Sequence, residues 1–191
     1  MNHELLTATL SALKGGLTLL YPTDTIWGIG CDATNAAAVE KIYAIKKRDH
    51  SKSMLILCAD ESMVLQYISH PDAKALQLLL HSERPTTVIF PLERNHGLAP
   101  NLPASDNTIG IRIPKHGFCQ ELLQAFGRPL VSTSANFSGE PSPACYGDIS
   151  EELKHRIDFL VPDLPQYESH NSQGSTILKI TPENEILVLR P

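Results

Sequence analysis

The chain has 191 residues, 42% of them hydrophobic, and a formal net charge of −5. That length and apolar content suit one large domain with a sizeable core and exclude general disorder. The acidic balance argues against a long grip on a nucleic-acid backbone, while leaving room for a small anionic ligand held by a local cluster of cations.

No apolar run approaches the roughly 18–20 residues of a membrane helix. The first residues, MNHELLTATLSALKGG, carry Glu4 and no basic start, so no secretory signal is expected and the expected location is the cytoplasm. Cys31, Cys58, Cys119 and Cys145 lie far apart with no C-x-x-C, and no H-E-x-x-H occurs. Four reduced thiols and no structural metal site are therefore expected.

In chain order, Leu5, Leu6, Leu10 and Leu13 fall at helical spacing over 2–14, and Gly15-Gly16 supply a stop. LTLLY reads as a buried strand ended by Pro22. The next stretch, YPTDTIWGIGCDA at 21–33, contains no good helix former and suggests no ordinary surface hairpin. Thr34 or Asn35 then caps a helix over AAAVEKIYAIKK. MLILCA reads as a strand, Asp60 caps a short helix through Ile68, and PDAKALQLLLHSE is a helix with Pro71 near its first turn. TTVIF and TIGIRIP are strands, FCQELLQAF is a helix closed by Gly127, and PLVST is a strand. Asp148 with Glu151 resembles a capping box before SEELKHRI. The end, STILKITPENEILVLRP, reads as a hairpin across Pro182-Glu183-Asn184.

Interleaved helices and strands with a terminal hairpin predict one α/β domain over 1–191 with a mixed sheet. Two long irregular segments, 93–107 and 162–174, are read either as lids or as plain linkers.

Three constellations could carry chemistry. Lys46, Lys47, Arg48 and Lys52 cluster at a predicted helix C-terminus, where the macrodipole favours cations whether or not a ligand is present. In TIGIRIP, Ile109, Ile111 and Ile113 share one face by the strand's period of two, so Thr108, Gly110 and Arg112 share the other. An unpaired buried charge is prohibitive, so Arg112 faces water, an internal carboxylate or an anionic ligand. In VSTSANFSGEPSP, Ser132, Ser134 and Asn136 project alike before a sharp turn, as ligand donors or as ordinary turn chemistry. Gly28-Ile29-Gly30 lacks the third glycine of a dinucleotide fingerprint, and neither a phosphate-binding G-x-x-x-x-G-K-[ST] nor a G-x-S-x-G occurs. The residues alone point to a polyphosphate bound beside a small polar molecule.

Taken in order, YPTDTIWGIGCDA, Lys46-x-Arg48 with Lys52, TIGIRIP, STSANFSGEPSP, STIL and the closing LRP resemble the YrdC/Sua5 family of threonylcarbamoyl-AMP synthases, in its short single-domain form. The resemblance implies a twisted α/β fold with a concave groove on one sheet face. It implies a nucleotidyltransferase joining L-threonine, bicarbonate and ATP, with Mg²⁺, into threonylcarbamoyl-AMP and pyrophosphate. A separate tRNA threonylcarbamoyl transferase complex would pass the product to adenosine 37 of tRNA. Carried over by position, the family's catalytic tetrad falls on Lys46, Arg48, Ser134 and Asn136. Nucleotide contacts fall on Arg48, Lys52, Thr108, Ser134, Ser142 and Arg190. The threonine pocket falls on Thr25, Arg112, Ser132 and Ser175, with no protein metal ligand. The same resemblance suggests that hydroxyls at Thr23 and Thr25 hold the amino acid while Gly28 and Gly30 allow close backbone approach.

The chain departs from the family pattern at Arg84-Pro85-Thr86-Thr87, at Leu57 and at Trp27. Two alternatives stay open: an RNA-binding or ribosome-maturation accessory of the same fold, with weak RNA binding, and a paralogue acting on another acceptor amine. Against the RNA reading stand the acidic charge and an aromatic content of only 6%, which leaves few side chains for base stacking.

Overall fold

The computed structural model describes residues 3–164 and 173–191. In chain order it forms α1 (His3–Lys14), β1 (Leu19–Tyr21), β2 (Gly28–Gly30), α2 (Ala36–Lys46), β3 (Leu55–Leu57), α3 (Glu61–Tyr67) and α4 (Ala73–His81). There follow β4 (Thr86–Pro91), β5 (Thr108–Arg112), α5 (Gly117–Phe126), β6 (Leu130–Ser134), α6 (Glu151–Lys154), β7 (Phe159–Leu160), β8 (Thr176–Ile180) and β9 (Ile186–Arg190). The strands make one mixed sheet in the order β7-β1-β2-β6-β3-β5-β4-β8-β9.

Local chemistry explains most element ends. The Asn35 side chain accepts from the Ala38 amide at 3.1 Å and starts α2; Asp60 and Asp72 cap α3 and α4 in the same way. Gly127 closes α5 at φ +71°, a conformation that suits a residue without Cβ. The terminal hairpin of β8 and β9 turns through Asn184 at φ +62°.

Three features differ from the expectations. Residues 28–30 form a buried strand antiparallel to β1, which no local signal in the 21–33 stretch announces. Gly-Ile-Gly has weak strand propensity, yet a Cβ on Gly30 would lie 2.2 Å from the Val131 carbonyl oxygen and 2.7 Å from the Tyr21 ring. That glycine serves the close approach of two strands, not the ligand niche. Asp148 does not box with Glu151; it caps a 3-10 turn at Tyr146–Asp148, accepting from the Cys145 amide, and Ser150 begins α6. The segment 93–107 packs inward. Leu98, Ala99 and Leu102 are buried, the Ala99 amide bonds the Ala33 carbonyl, and Asn101 donates to the Ala36 carbonyl at the start of α2. None of its residues lines the groove described below. Most of 162–174, at 165–172, lies outside the described residues.

The sheet's two faces have different chemistry. On one face Ile56, Val88, Phe90, Ile109, Ile111 and Val131 are buried in the apolar core. α4 covers β4 and β8 there, while α1 packs on β1 and α5. Each fully buried aliphatic or aromatic side chain contributes roughly 1.5–3 kcal/mol, so this layer anchors the sheet. The alternate residues make the other face, where small side chains break up the larger ones. Gly28 pairs with Ser134, and Leu55, Ile89 and Ile177 each pair with a small partner, Ser132, Gly110 and Thr87. A hollow results because no bulk fills it.

Candidate active site

The hollow is a groove of about 680 Å³, within the range of small-ligand pockets. It is lined by Thr25, Arg48, Arg112, Ser132, Ser134, Ser142, Ser175 and Arg190 from the sequence-derived set. Thr23, Trp27, Gly28, Ser53, Thr87 and Gly110 are also in its wall. Residues from Thr23 to Pro191 thus converge, and the described lining contains no carboxylate or imidazole side chain. Gly110 keeps the floor low. A Cβ there would sit 3.1 Å from the Thr87 methyl and 3.3 Å from the Leu55 Cβ.

Arg112 resolves the alternatives left open by its position on TIGIRIP. Only 3% exposed, it meets an internal carboxylate and also opens into the groove. Its Nη1 donates to Thr25 Oγ1 at 2.8 Å and lies 3.6 Å from Asp24 Oδ1. Its Nε has no hydrogen-bond partner among the described residues. A buried guanidinium N–H without an acceptor is costly, roughly 1–3 kcal/mol, and a ligand oxygen would relieve it.

A second arginine meets a separate pair of hydroxyls. Arg190 Nε donates to the Ser175 carbonyl at 2.8 Å and Nη2 to Ser175 Oγ at 3.2 Å, and Ser175 Oγ meets Thr87 Oγ1 at 2.7 Å. Burial, and then the nearby Arg112 charge, lower the Arg190 pKa. Arg48, half-buried, donates through Nε to the Lys52 carbonyl and through Nη2 to the Ser53 carbonyl, each at 2.8 Å. It therefore shapes the 48–53 loop while presenting charge to the groove.

The remaining residues sit differently. Lys46 is buried and outside the wall, with Nζ donating to the carbonyls of Ser134 and Asn136 at 2.5 and 2.6 Å and to Asn136 Oδ1 at 3.2 Å. Its three donors tie the end of α2 to the chain leaving β6, so its direct contact is with the protein's own carbonyls. Burial, with Arg48 adding to it, lowers its pKa to about 7. Asn136 stands behind the wall, where Oδ1 accepts from Ser134 Oγ at 2.5 Å and Nδ2 donates to the Glu140 carbonyl. Lys52 is exposed, and Thr108 donates to Asp106 Oδ1 at 2.7 Å; neither lines the groove. Thr23 is occupied in shaping its own loop, donating to the Ile26 carbonyl at 2.7 Å.

Sequence reasoning did not single out Thr87 or Asp24 as site residues. The period of two on β4, which puts Thr87 beside Ile89 on one face, was the available signal for Thr87. Trp27, one of the departures, lines the groove and packs on Tyr146 with ring centroids 4.8 Å apart. Leu57 is fully buried and not part of the wall. All four cysteines are free thiols, no group of three His, Cys, Asp or Glu among the described residues could hold a metal, and no described helix is long and apolar enough to cross a membrane.

A twisted α/β sheet carrying a cationic, hydroxyl-lined groove on its open face defines a class of small-molecule binding folds. A family model described as telomere recombination, for Sua5, YciO and YrdC proteins, matches residues 11–191. The chain belongs to the Sua5/YciO/YrdC family. A threonylcarbamoyl-AMP synthase of Pseudoalteromonas translucida (strain TAC 125) is 32% identical over 180 residues, covering 92% of this chain and 93% of that protein. Among solved structures, P. abyssi Sua5 complexed with L-threonine aligns with a TM-score of 0.87 at 23% identity, over 97% of this chain and 53% of that one. This chain therefore spans about half the length of that Sua5. E. coli YciO aligns with a TM-score of 0.78 at 24% identity, over 98% of this chain and 88% of that one. Both structural likenesses establish the fold.

Proposed function

We propose that the chain is an L-threonylcarbamoyladenylate synthase, a nucleotidyltransferase working in the cytoplasm as one YrdC-like unit over residues 1–191. The observation that carries this reading is that Arg112 with Thr25, and Arg48 with Arg190, open into one groove. A guanidinium beside hydroxyls suits an amino acid, and two further guanidiniums suit a triphosphate. The naming of relatives such as the P. translucida protein supports the same reading.

In this reaction the threonine amine takes up the carbon of bicarbonate with loss of water, giving a carbamate. A carbamate oxygen then bonds to the α-phosphorus of ATP while the bond to the β-phosphate oxygen breaks and pyrophosphate leaves. Arg112 and Thr25, with Ser132 and Ser175, hold the amino acid; Arg48, Ser134, Ser142 and Arg190 hold the nucleotide. Lys52, for the phosphates, and Thr108, for the rest of the nucleotide, stand outside the wall and act from its edge. The guanidiniums and hydroxyls of the lining support positioning and charge neutralisation as the means of catalysis. Mg²⁺ bound to ATP would add to the charge neutralisation that Arg48 and Arg190 supply to the phosphates. Lys46 and Asn136 hold Ser134 in place from behind.

The product is an activated mixed anhydride, which a separate threonylcarbamoyl transferase complex consumes in modifying tRNA. The accessory RNA-binding role has the net charge of −5 against it. Purified protein with ATP, Mg²⁺, bicarbonate and L-threonine is expected to release pyrophosphate, with serine giving much less and omission of bicarbonate stopping the reaction. Release that ignores threonine but follows another amine would establish the paralogue instead. Release that ignores every amine would overturn the synthase.

A further inference from the structure

We infer that Asp24 is a positioning residue for the amino-acid substrate: it holds Arg112 by Nη1 so that the Nε edge stays open to the substrate carboxylate. The inference rests on the proposed synthase reaction and adds a residue that the motif comparison left without a role.

Asp24 sits in the turn between β1 and β2, immediately before Thr25, which lines the groove. Its side chain is 9% exposed and that of Arg112 is 4% exposed, so both charges are withdrawn from water. Asp24 Oδ1 lies 3.6 Å from Arg112 Nη1, and Asp24 Oδ2 accepts from the Lys115 amide at 3.1 Å. The carboxylate is thus anchored by backbone just beyond the end of β5, the strand that carries Arg112. Thr25 Oγ1 takes an Nη1 proton at 2.8 Å, so two consecutive residues of one turn engage the same guanidinium nitrogen.

Geometry then decides which side of the arginine remains. A carboxylate binds a guanidinium bidentately through two neighbouring N–H groups. Asp24 is not in that arrangement: its approach is to Nη1 at 3.6 Å, while Nε is left without an acceptor among the described residues. A looser contact compensates the buried charge without filling the fork. A full bidentate Asp–Arg pair would have consumed the edge that the ligand needs. Removing Asp24 would leave the guanidinium buried with less compensating charge and held at Nη1 by the Thr25 hydroxyl alone.

The test is kinetic. Asp24→Asn keeps the shape and the Lys115 contact but removes the charge. The KM for threonine is expected to rise about tenfold or more while the KM for ATP changes less than twofold. Asp24→Glu, which restores the charge one methylene further out, is expected to recover part of the loss. Equal rises in both constants, or an unchanged threonine KM, would overturn the assignment, because a merely structural role does not discriminate between the substrates. Should Asp24→Asn not fold, the same two constants measured on Asp24→Ser decide, with an unchanged threonine KM overturning the proposal. The wild-type protein separates the two levels of failure. A wild type that releases pyrophosphate without regard to threonine overturns the reaction and this assignment together; a threonine-dependent wild type with an unshifted variant overturns the assignment alone.

Discussion

Arg112→Ala is expected to lower kcat/KM for threonine by roughly 30-fold to several thousand-fold. Arg112 is buried, bonded to Thr25 at 2.8 Å and 3.6 Å from Asp24. Truncating one partner of a buried, hydrogen-bonded charge pair costs about 2–5 kcal/mol, and each 1.4 kcal/mol is tenfold. Part of that loss reflects the Asp24 carboxylate left in a dry pocket without its guanidinium, so thermal unfolding of the variant is measured alongside. Arg112→Lys separates charge from shape. An ammonium keeps the charge but offers no planar fork, and a threonine KM near that of Arg112→Ala is expected. An alanine variant with an unchanged threonine KM would remove Arg112 from the amino-acid niche.

The second large effect is expected at the phosphate side. Arg48→Ala removes charge-assisted bonds worth about 1.5–3 kcal/mol each, so the KM for ATP should rise roughly tenfold to over a hundredfold. It also deletes the two 2.8 Å bonds that hold the Lys52 and Ser53 carbonyls, so the 48–53 loop loosens as well. Arg48→Lys distinguishes the two contributions: it restores positive charge and not the paired carbonyl contacts. The KM for threonine measured at saturating ATP should stay close to wild type. Steady-state pyrophosphate release, titrated separately in each substrate, reads both constants, and wild-type ATP dependence in Arg48→Ala would dismiss the assignment.

Much of the fold was legible because it is written locally. Asn35, Asp60 and Gly127 cap the helices where their chemistry placed them, and the alternation in TIGIR put Ile109 and Ile111 in the core and Arg112 opposite. The features that were not legible depend on residues far apart in the chain. The strand at Gly28–Gly30 exists because β1 and β6 flank it, and no local propensity announces three residues of which two are glycine. β7, only two residues long, is a strand because Phe159 and Leu160 pair with Leu19 and Leu20. Such pairings carry no periodic signal of their own.

The site divides in the same way. Side-chain parity and motif order indicated Arg112, Ser132 and Ser134, and all three line the groove. In the sequence Lys46 stands among the cations of a helix end and in the tetrad that the resemblance implies; in the fold its amine crosses to carbonyls nearly ninety residues later. That contact makes it a clamp on the Ser134–Asn136 segment, and nothing in IKKRDHSK distinguishes a clamp from a ligand contact. Asp24 was equally silent. Its role follows from the approach of β5 to the turn after β1, and that is a property of the folded sheet alone.

The central claim is that a single groove seats the amino acid and the triphosphate side by side. A crystal structure of the protein with L-threonine and a non-hydrolysable ATP analogue tests it most directly. The expected result is the threonine carboxylate on the Nε edge of Arg112, with the phosphate chain reaching Arg48 and Arg190 in the same groove. Either ligand seated away from these arginines would contradict the account.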